Sequence, residues 1–185
     1  KQLEYTWLLN SMGTYLDFHE VTLRAMLASC RSMSLDCDSE SERSLLNAYL
    51  HLRPFSDVEP ALKEIAFSVD RLGVLSNGTP QMLDSVLQSS DLKSYFSEVF
   101  SVESVRVYKP NPRVYRLAAE RLGLPPRNIG FVSANSWDIA GASTFGLTTI
   151  WVNRSSMSAE QVGGSATKEI VSLSELSTTL SDLAI

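Results

Sequence analysis

The chain has 185 residues, 44% of them hydrophobic and 20% charged, enough for one ordinary domain, or a core with a small appended one, that buries about 70% of its unfolded surface. A formal charge of −5 and no basic stripe exclude a nucleic-acid surface, and no apolar run approaches the ~20 residues of a membrane span. Residues 1–15 carry no signal-peptide core, and two cysteines, Cys30 and Cys37, are too few for a disulfide framework, so plain thiols in a reduced, cytoplasmic setting are expected.

From Lys1 to about His51 the pattern is helical. Leu3, Trp7, Leu8, Met12 and Tyr15 recur at helical spacing. Phe18, Val21, Leu23, Ala25, Met26, Leu27 and Cys30 form a second apolar stripe. Asp38 or Ser39 can cap a third helix, with Glu42 as the acid of a capping box and Leu45, Leu46, Tyr49 and Leu50 as its apolar face. Arg53-Pro54 breaks the pattern, which predicts a helical domain over residues 1–54 and a second domain over 55–185. In the second, helices are expected over residues 57–66, 81–89, 112–122, 137–145 and 173–180. Strands are expected over 72–75, 99–102, 129–132 and 148–152, and a polar loop over 155–167. Gly123 and Gly146 stand where two of these helices should end. Strands alternating with helices through short connections predict an α/β fold with a parallel sheet covered on both faces.

Three segments carry the chemistry, each at or just beyond the C-terminal end of an apolar run, where open α/β sheets build their sites. Leu75-Ser76-Asn77-Gly78 offers a hydroxyl and backbone N–H groups that suit a carboxylate or phosphate. It reads equally as a turn with a helix cap. Lys109 lies in Val107-Tyr108-Lys109-Pro110-Asn111-Pro112, where two prolines stiffen the loop and fix the direction of the ammonium. Such a lysine holds a neighbouring carboxylate ionised; the plain reading is a solvated surface lysine. Ser133-Ala134-Asn135-Ser136-Trp137-Asp138 crowds polar groups at a strand exit, with Asp138 near a helix start that favours its charge. N-capping explains this segment too. His19 and His51 have no paired nucleophile at a recognisable spacing, and neither a Walker loop nor GxGxxG occurs.

Taken together and in this order, Leu75-Ser76-Asn77-Gly78-Thr79-Pro80-Gln81, Val107-Tyr108-Lys109-Pro110 with Arg113-Val114-Tyr115, Phe131-Val132-Ser133-Ala134-Asn135-Ser136-Trp137-Asp138 and Trp151-Val152-Asn153-Arg154 resemble the haloacid dehalogenase superfamily, and within it the type II (S)-2-haloacid dehalogenases. Lys1-Gln2-Leu3-Glu4-Tyr5-Thr6-Trp7 is similar to the opening of that family's helical cap. The resemblance implies a Rossmann-like core with a small helical cap and a hydrolase that cleaves the carbon–halogen bond of small 2-haloacids through an aspartyl ester. It implies Ser76 as anchor of the substrate carboxylate, Lys109 as partner of the nucleophile, and Ser133 and Tyr115 as its orienting groups. Asp138 and Asn135 would place the hydrolytic water, Asn77 would belong to the halide cradle, and Leu3, Phe18 and Trp137 to the apolar wall. No cofactor and no metal are implied for this branch. The superfamily's magnesium-dependent phosphatases carry Gly-Asp where this chain has Ser133 and Ala134, and Ala134 cannot ligate a hard cation. The family's habit of dimerising through helical surfaces makes Trp7, Tyr15 and Tyr49 candidates for a homodimer face, although they could equally pack the cap.

The sequence departs from the family at Ala66-Phe67-Ser68-Val69-Asp70-Arg71-Leu72, where a Lys/Gly-rich turn is usual, and more seriously ahead of the cap. The nucleophile motif, an Asp at the end of the first core strand, and the halide-binding Arg ahead of the cap are not among these 185 residues. That strand would lie between the strands ending at Leu75 and Val132. The expectation is a fragment that is inactive or poorly folded by itself. The alternatives are a magnesium-dependent phosphatase of the same superfamily, and a truncated, non-catalytic paralogue that binds a partner.

Overall fold

A computed structural model describes residues 1–183, and every strand in it runs parallel to its neighbour. In chain order the elements are α1 (Gln2–Met12), α2 (Phe18–Ser32), α3 (Ser39–Ala48), α4 (Val58–Ile65), β1 (Gly73–Ser76), α5 (Pro80–Ser89), β2 (Glu98–Ser101), α6 (Pro112–Leu122), β3 (Gly130–Ser133), α7 (Ser136–Phe145), β4 (Thr148–Val152), β5 (Lys168–Ile170) and α8 (Leu176–Leu183). They fall into two units. One holds Lys1–Arg53 with Gly73–Tyr108; the other holds Pro54–Leu72 with Lys109 to the end of the described residues.

In the first unit α1 packs on α2 and α2 on α3. The apolar stripe of α1 does not face inward: Trp7, Leu8 and Met12 are 41%, 47% and 63% exposed, and Thr6 and Leu9 are the buried residues. Polar groups anchor this helix instead. The Thr6 hydroxyl donates to the Leu3 carbonyl (2.7 Å) and so can be buried. Asn10 pairs with both backbone groups of Tyr108, donating to its carbonyl (2.8 Å) and accepting from its amide (2.9 Å). Asp17 caps α2 and Asp38 caps α3, each accepting a backbone N–H three residues on. Cys30 and Cys37 are not the two thiols expected: they form a disulfide that joins the last turn of α2 to the segment before α3. Spacing alone could not pair them, because the intervening turn brings their Cα atoms to 6.2 Å. In this unit β1 pairs with β2, from Gly73 opposite Glu98 to Ser76 opposite Ser101. α5 follows with Thr79 as its cap and Pro80 in its first turn.

In the second unit the order is β3-β4-β5. α7 connects β3 to β4 and packs on both, and α6 packs on α7. Gly123 and Gly146 end α6 and α7 with φ of 67° and 103°, the left-handed conformation that suits glycine. The core includes Val114, Ile139, Ala142, Ile150, Trp151, Ile170, Leu176 and Leu180. β5 was not expected from the sequence. It has three residues, and Ile170 alone among them is buried. Arg71 donates to the Leu122 carbonyl (2.6 Å), capping the end of α6. Among the described residues β1 and β3 each pair along one edge, and no helix is long and apolar enough to cross a membrane.

Asp57 precedes α4 but does not cap it with its side chain. Its carboxylate accepts two bonds from the Arg154 guanidinium (2.7 and 3.0 Å), one from the Ser172 hydroxyl (2.8 Å) and one from the Leu173 amide (2.8 Å). Phe55 lies under the same guanidinium at 4.5 Å. This cluster fastens the start of α4 to the exit of β4 and to the turn before α8. Arg154 holds the Asp57 carboxyl well below the ordinary carboxylate range, against the opposing effect of burial. The unfolded chain therefore takes up the proton first as pH falls. The stabilisation is complete above the usual carboxylate pKa of about 4 and is lost below it. Wild-type protein should lose more melting temperature between pH 6 and pH 3 than Asp57→Asn, and parallel slopes would contradict this. Arg154→Ala should cost about 2 kcal/mol in denaturant titrations, less than the roughly 3–5 kcal/mol typical of a fully buried pair, since the two side chains are 25% and 14% exposed.

Candidate active site

The turn from β3 into α7 assembles the chemistry of the second unit. β3 ends at Ser133, Asn135 precedes the first turn of α7, and Asp138 lies in that turn, 3% exposed. One carboxylate oxygen of Asp138 accepts from Lys109 Nζ (2.9 Å) and from Ser133 Oγ (3.1 Å). The other accepts from Tyr115 Oη (2.7 Å). Lys109 and Asp138 have side chains only 9% and 4% exposed. Two charges withdrawn this far from water persist only with close pairing and further hydrogen bonds, and Ser133 and Tyr115 supply them. The face of Phe131, 4.9 Å from Lys109 Nζ, adds its electron-rich surface to the cation's environment.

Local sequence places each partner. Asn111 caps α6 by accepting from the Arg113 amide (3.0 Å), and Pro112 starts the helix. Tyr115 then lies on the first turn of α6, fully buried, with its ring edge-to-face on Phe131 at 5.7 Å and beside Phe145 at 6.1 Å. Its phenol is pushed well above the usual range, by burial first and then by the charge of Asp138. Tyr115 is therefore a hydrogen-bond donor at any ordinary pH. The Lys109–Pro110 peptide is cis.

Ser133 Oγ also accepts from the Asn135 amide (3.2 Å), closing the turn. The Asn135 side chain is exposed and does not cap α7, so capping does not account for an asparagine here. Trp137 is half-buried on α7. The Trp151 indole donates to the Ala134 carbonyl (3.2 Å) and steadies the same turn. In the other unit Ser76 ends β1, its hydroxyl oxygen accepting from the Gly78 amide (3.1 Å). A hydroxyl used in this way keeps its own proton to donate. Asn77 follows it, half-buried. Leu3 lies on α1 and Phe18 at the start of α2, with the Phe18 ring 6.0 Å from that of Tyr108.

Of the residues the sequence singles out, the structure thus joins Lys109, Tyr115, Ser133 and Asp138 in one hydrogen-bonded cluster, with Asn135 on the same turn. It adds two that sequence reasoning overlooked. Phe131 is part of a quoted motif but reads there as an ordinary strand residue. Gly141, one turn beyond Asp138, reads as a mere small residue. Among the described residues no group of three or more His, Cys, Asp or Glu is placed to hold a metal ion.

Known proteins resemble this chain along most of its length. The model of the haloacid dehalogenase-like hydrolases matches residues 6–146. The (S)-2-haloacid dehalogenase of Pseudomonas sp. (strain YL) is 43% identical over 173 residues, 94% of this chain and 75% of that protein. Haloacetate dehalogenase H-2 of Moraxella sp. (strain B) is 40% identical over 163 residues, 88% of this chain and 73% of that protein. The L-2-haloacid dehalogenase of Xanthobacter autotrophicus with chloropropionic acid covalently bound superposes with a TM-score of 0.92 at 31% identity, covering 98% of this chain and 82% of that one. With the parallel strands, the buried Lys109–Asp138 pair and this likeness along nearly its whole length, the chain belongs to the haloacid dehalogenase-like hydrolases.

Proposed function

We propose that this protein is an (S)-2-haloacid dehalogenase, which hydrolyses the carbon–halogen bond of small 2-haloalkanoic acids. The buried ammonium of Lys109, held by an Asp138 carboxylate that also accepts from Ser133 and Tyr115, carries the proposal. In this reading an aspartate carboxylate attacks C2. A C–O bond forms as the carbon–halogen bond breaks, and halide leaves with the electron pair. Water then adds to the ester carbonyl, and the acyl C–O bond breaks to give the 2-hydroxyacid and the original carboxylate. An ammonium has three donors and can serve two carboxylates at once. Lys109 would hold the attacker while Asp138 holds Lys109, with Tyr115 and Ser133 fixing that geometry. Asn135, with Asp138, would place the water.

Ser76 would anchor the substrate carboxylate and Asn77 would contribute to the halide cradle, while Leu3, Phe18 and Trp137 would line the alkyl side. Dry, apolar walls favour displacement because a desolvated carboxylate is the better nucleophile. The attacker itself is none of the residues named. A helical cap over residues 1–54 and an α/β core over 55–185 are part of the same reading. So are a homodimer formed through Trp7, Tyr15 and Tyr49, and a cytoplasmic setting, against which the Cys30–Cys37 disulfide weighs.

The full-length protein should release chloride or bromide from (S)-2-halopropanoate with no added metal. Magnesium-dependent ester hydrolysis without halide release would replace this reading with a phosphatase. Lys109→Ala should lower kcat by about 10²–10³-fold in halide assays; retained activity would remove Lys109 from the mechanism. Ser76→Ala should raise KM about tenfold or more with a smaller change in kcat, as expected for a lost hydrogen bond to a charged group. An unchanged KM would contradict the anchor role.

A further inference from the structure

Gly141 lies three residues after Asp138 on α7, so the two share a face of the helix. It is an interior helical position, where glycine is a poor helix former and alanine the best. The reason for glycine here is steric. A Cβ on residue 141 would lie 2.5 Å from Pro110 Cβ, 2.7 Å from Tyr115 Oη and 3.3 Å from Tyr115 Cε2. The first two are shorter than real Cβ contacts.

Both neighbours are parts of the cluster. Tyr115 Oη is the atom that donates to Asp138 (2.7 Å), and Pro110 directly follows Lys109, which pairs with the same carboxylate. Pro110 is exposed, so Tyr115 is the more tightly held of the two. The tyrosine ring is fully buried against Phe131 and Phe145, and the proline ring is rigid. The helix is closely packed elsewhere as well. Gly164, at a φ of 61°, brings the 155–167 loop against the Ala140 carbonyl and the Thr144 hydroxyl.

We propose that Gly141 is a positioning residue: the side chain it lacks is the space in which the Tyr115 hydroxyl reaches Asp138 and Pro110 brings Lys109 to the same carboxylate. Any Cβ at 141 drives Tyr115 off Asp138, shifts Pro110 with Lys109, or moves α7 with Asp138. Each outcome loosens the geometry of the ammonium. The catalytic part of this inference rests on the dehalogenase reading; the steric part does not.

The test is a double-substitution cycle in the full-length protein, with Gly141→Ala made in wild type and in Tyr115→Phe. In wild type, Gly141→Ala should lower the melting temperature by about 5 °C, as overpacking does, where helix propensity alone would raise it. It should also lower kcat for halide release about tenfold or more, with KM within about twofold, and displace the pH–rate profile. On the Tyr115→Phe background both losses should be clearly smaller, since one of the two obstructing groups is gone. Equal losses on the two backgrounds would overturn the proposal. So would a raised melting temperature, or an unchanged kcat and pH profile in a folded variant. If Gly141→Ala is insoluble in wild type, solubility on the Tyr115→Phe background supports the proposal and insolubility on both overturns it. Absence of halide release by wild type would defeat the dehalogenase reading instead, while the melting cycle still decides whether Gly141 makes room for Tyr115.

Discussion

The Lys109–Asp138 pair sets the terms for everything built around it in the second unit. Two opposite charges less than a tenth exposed are costly to bury, and removing either one leaves the other stranded. The surrounding structure meets that cost with specific groups. The Ser133 hydroxyl at the end of β3, the Tyr115 phenol on α6 and the Phe131 ring each contribute to the compensation. Because these groups come from different elements, the pair also fixes how β3, α6 and α7 meet. A carboxylate brought beside Lys109 would find a cation already oriented, which is the arrangement that lets an enzyme avoid reorganising its site during reaction.

Elements set by local rules were legible in the sequence. Pro112 and Gly123 bound α6, Gly146 ends α7, and Asp38 caps α3, each for a reason carried by a few neighbouring residues. Elements decided by distant partners were not. β5 is a three-residue strand with Lys168 and Glu169 exposed, so it lacks any apolar signature. The face of α1 was misleading because Thr6, Leu9 and Asn10, not the exposed Trp7, Leu8 and Met12, lie on its inner side. The candidate site divides along the same line. Residue types and strand ends singled out Lys109, Ser133 and Asp138, and the family resemblance added Tyr115, but nothing in the sequence paired Lys109 with Asp138, 29 positions away. Gly141 was invisible because its contribution is an absence of atoms.

Polar clamps recur where apolar packing is thin. Asn10 serves both backbone groups of Tyr108, doing with one side chain what a neighbouring strand would do. Asp57 gathers Arg154, Ser172 and the Leu173 amide, tying together segments up to 116 positions apart. Both clamps act on irregular segments next to regular elements, where backbone polar groups most need partners.

The Cys30–Cys37 bridge bears on a helix that contributes little to any core. α3 buries none of its residues, and its attachments include contacts with α2 and that covalent staple. In an environment that keeps sulfur reduced, the staple opens and α3 is left with its non-covalent contacts alone. The α2–α3 segment would then be more open to proteases and exchange its amides faster, in step with the redox state of its surroundings.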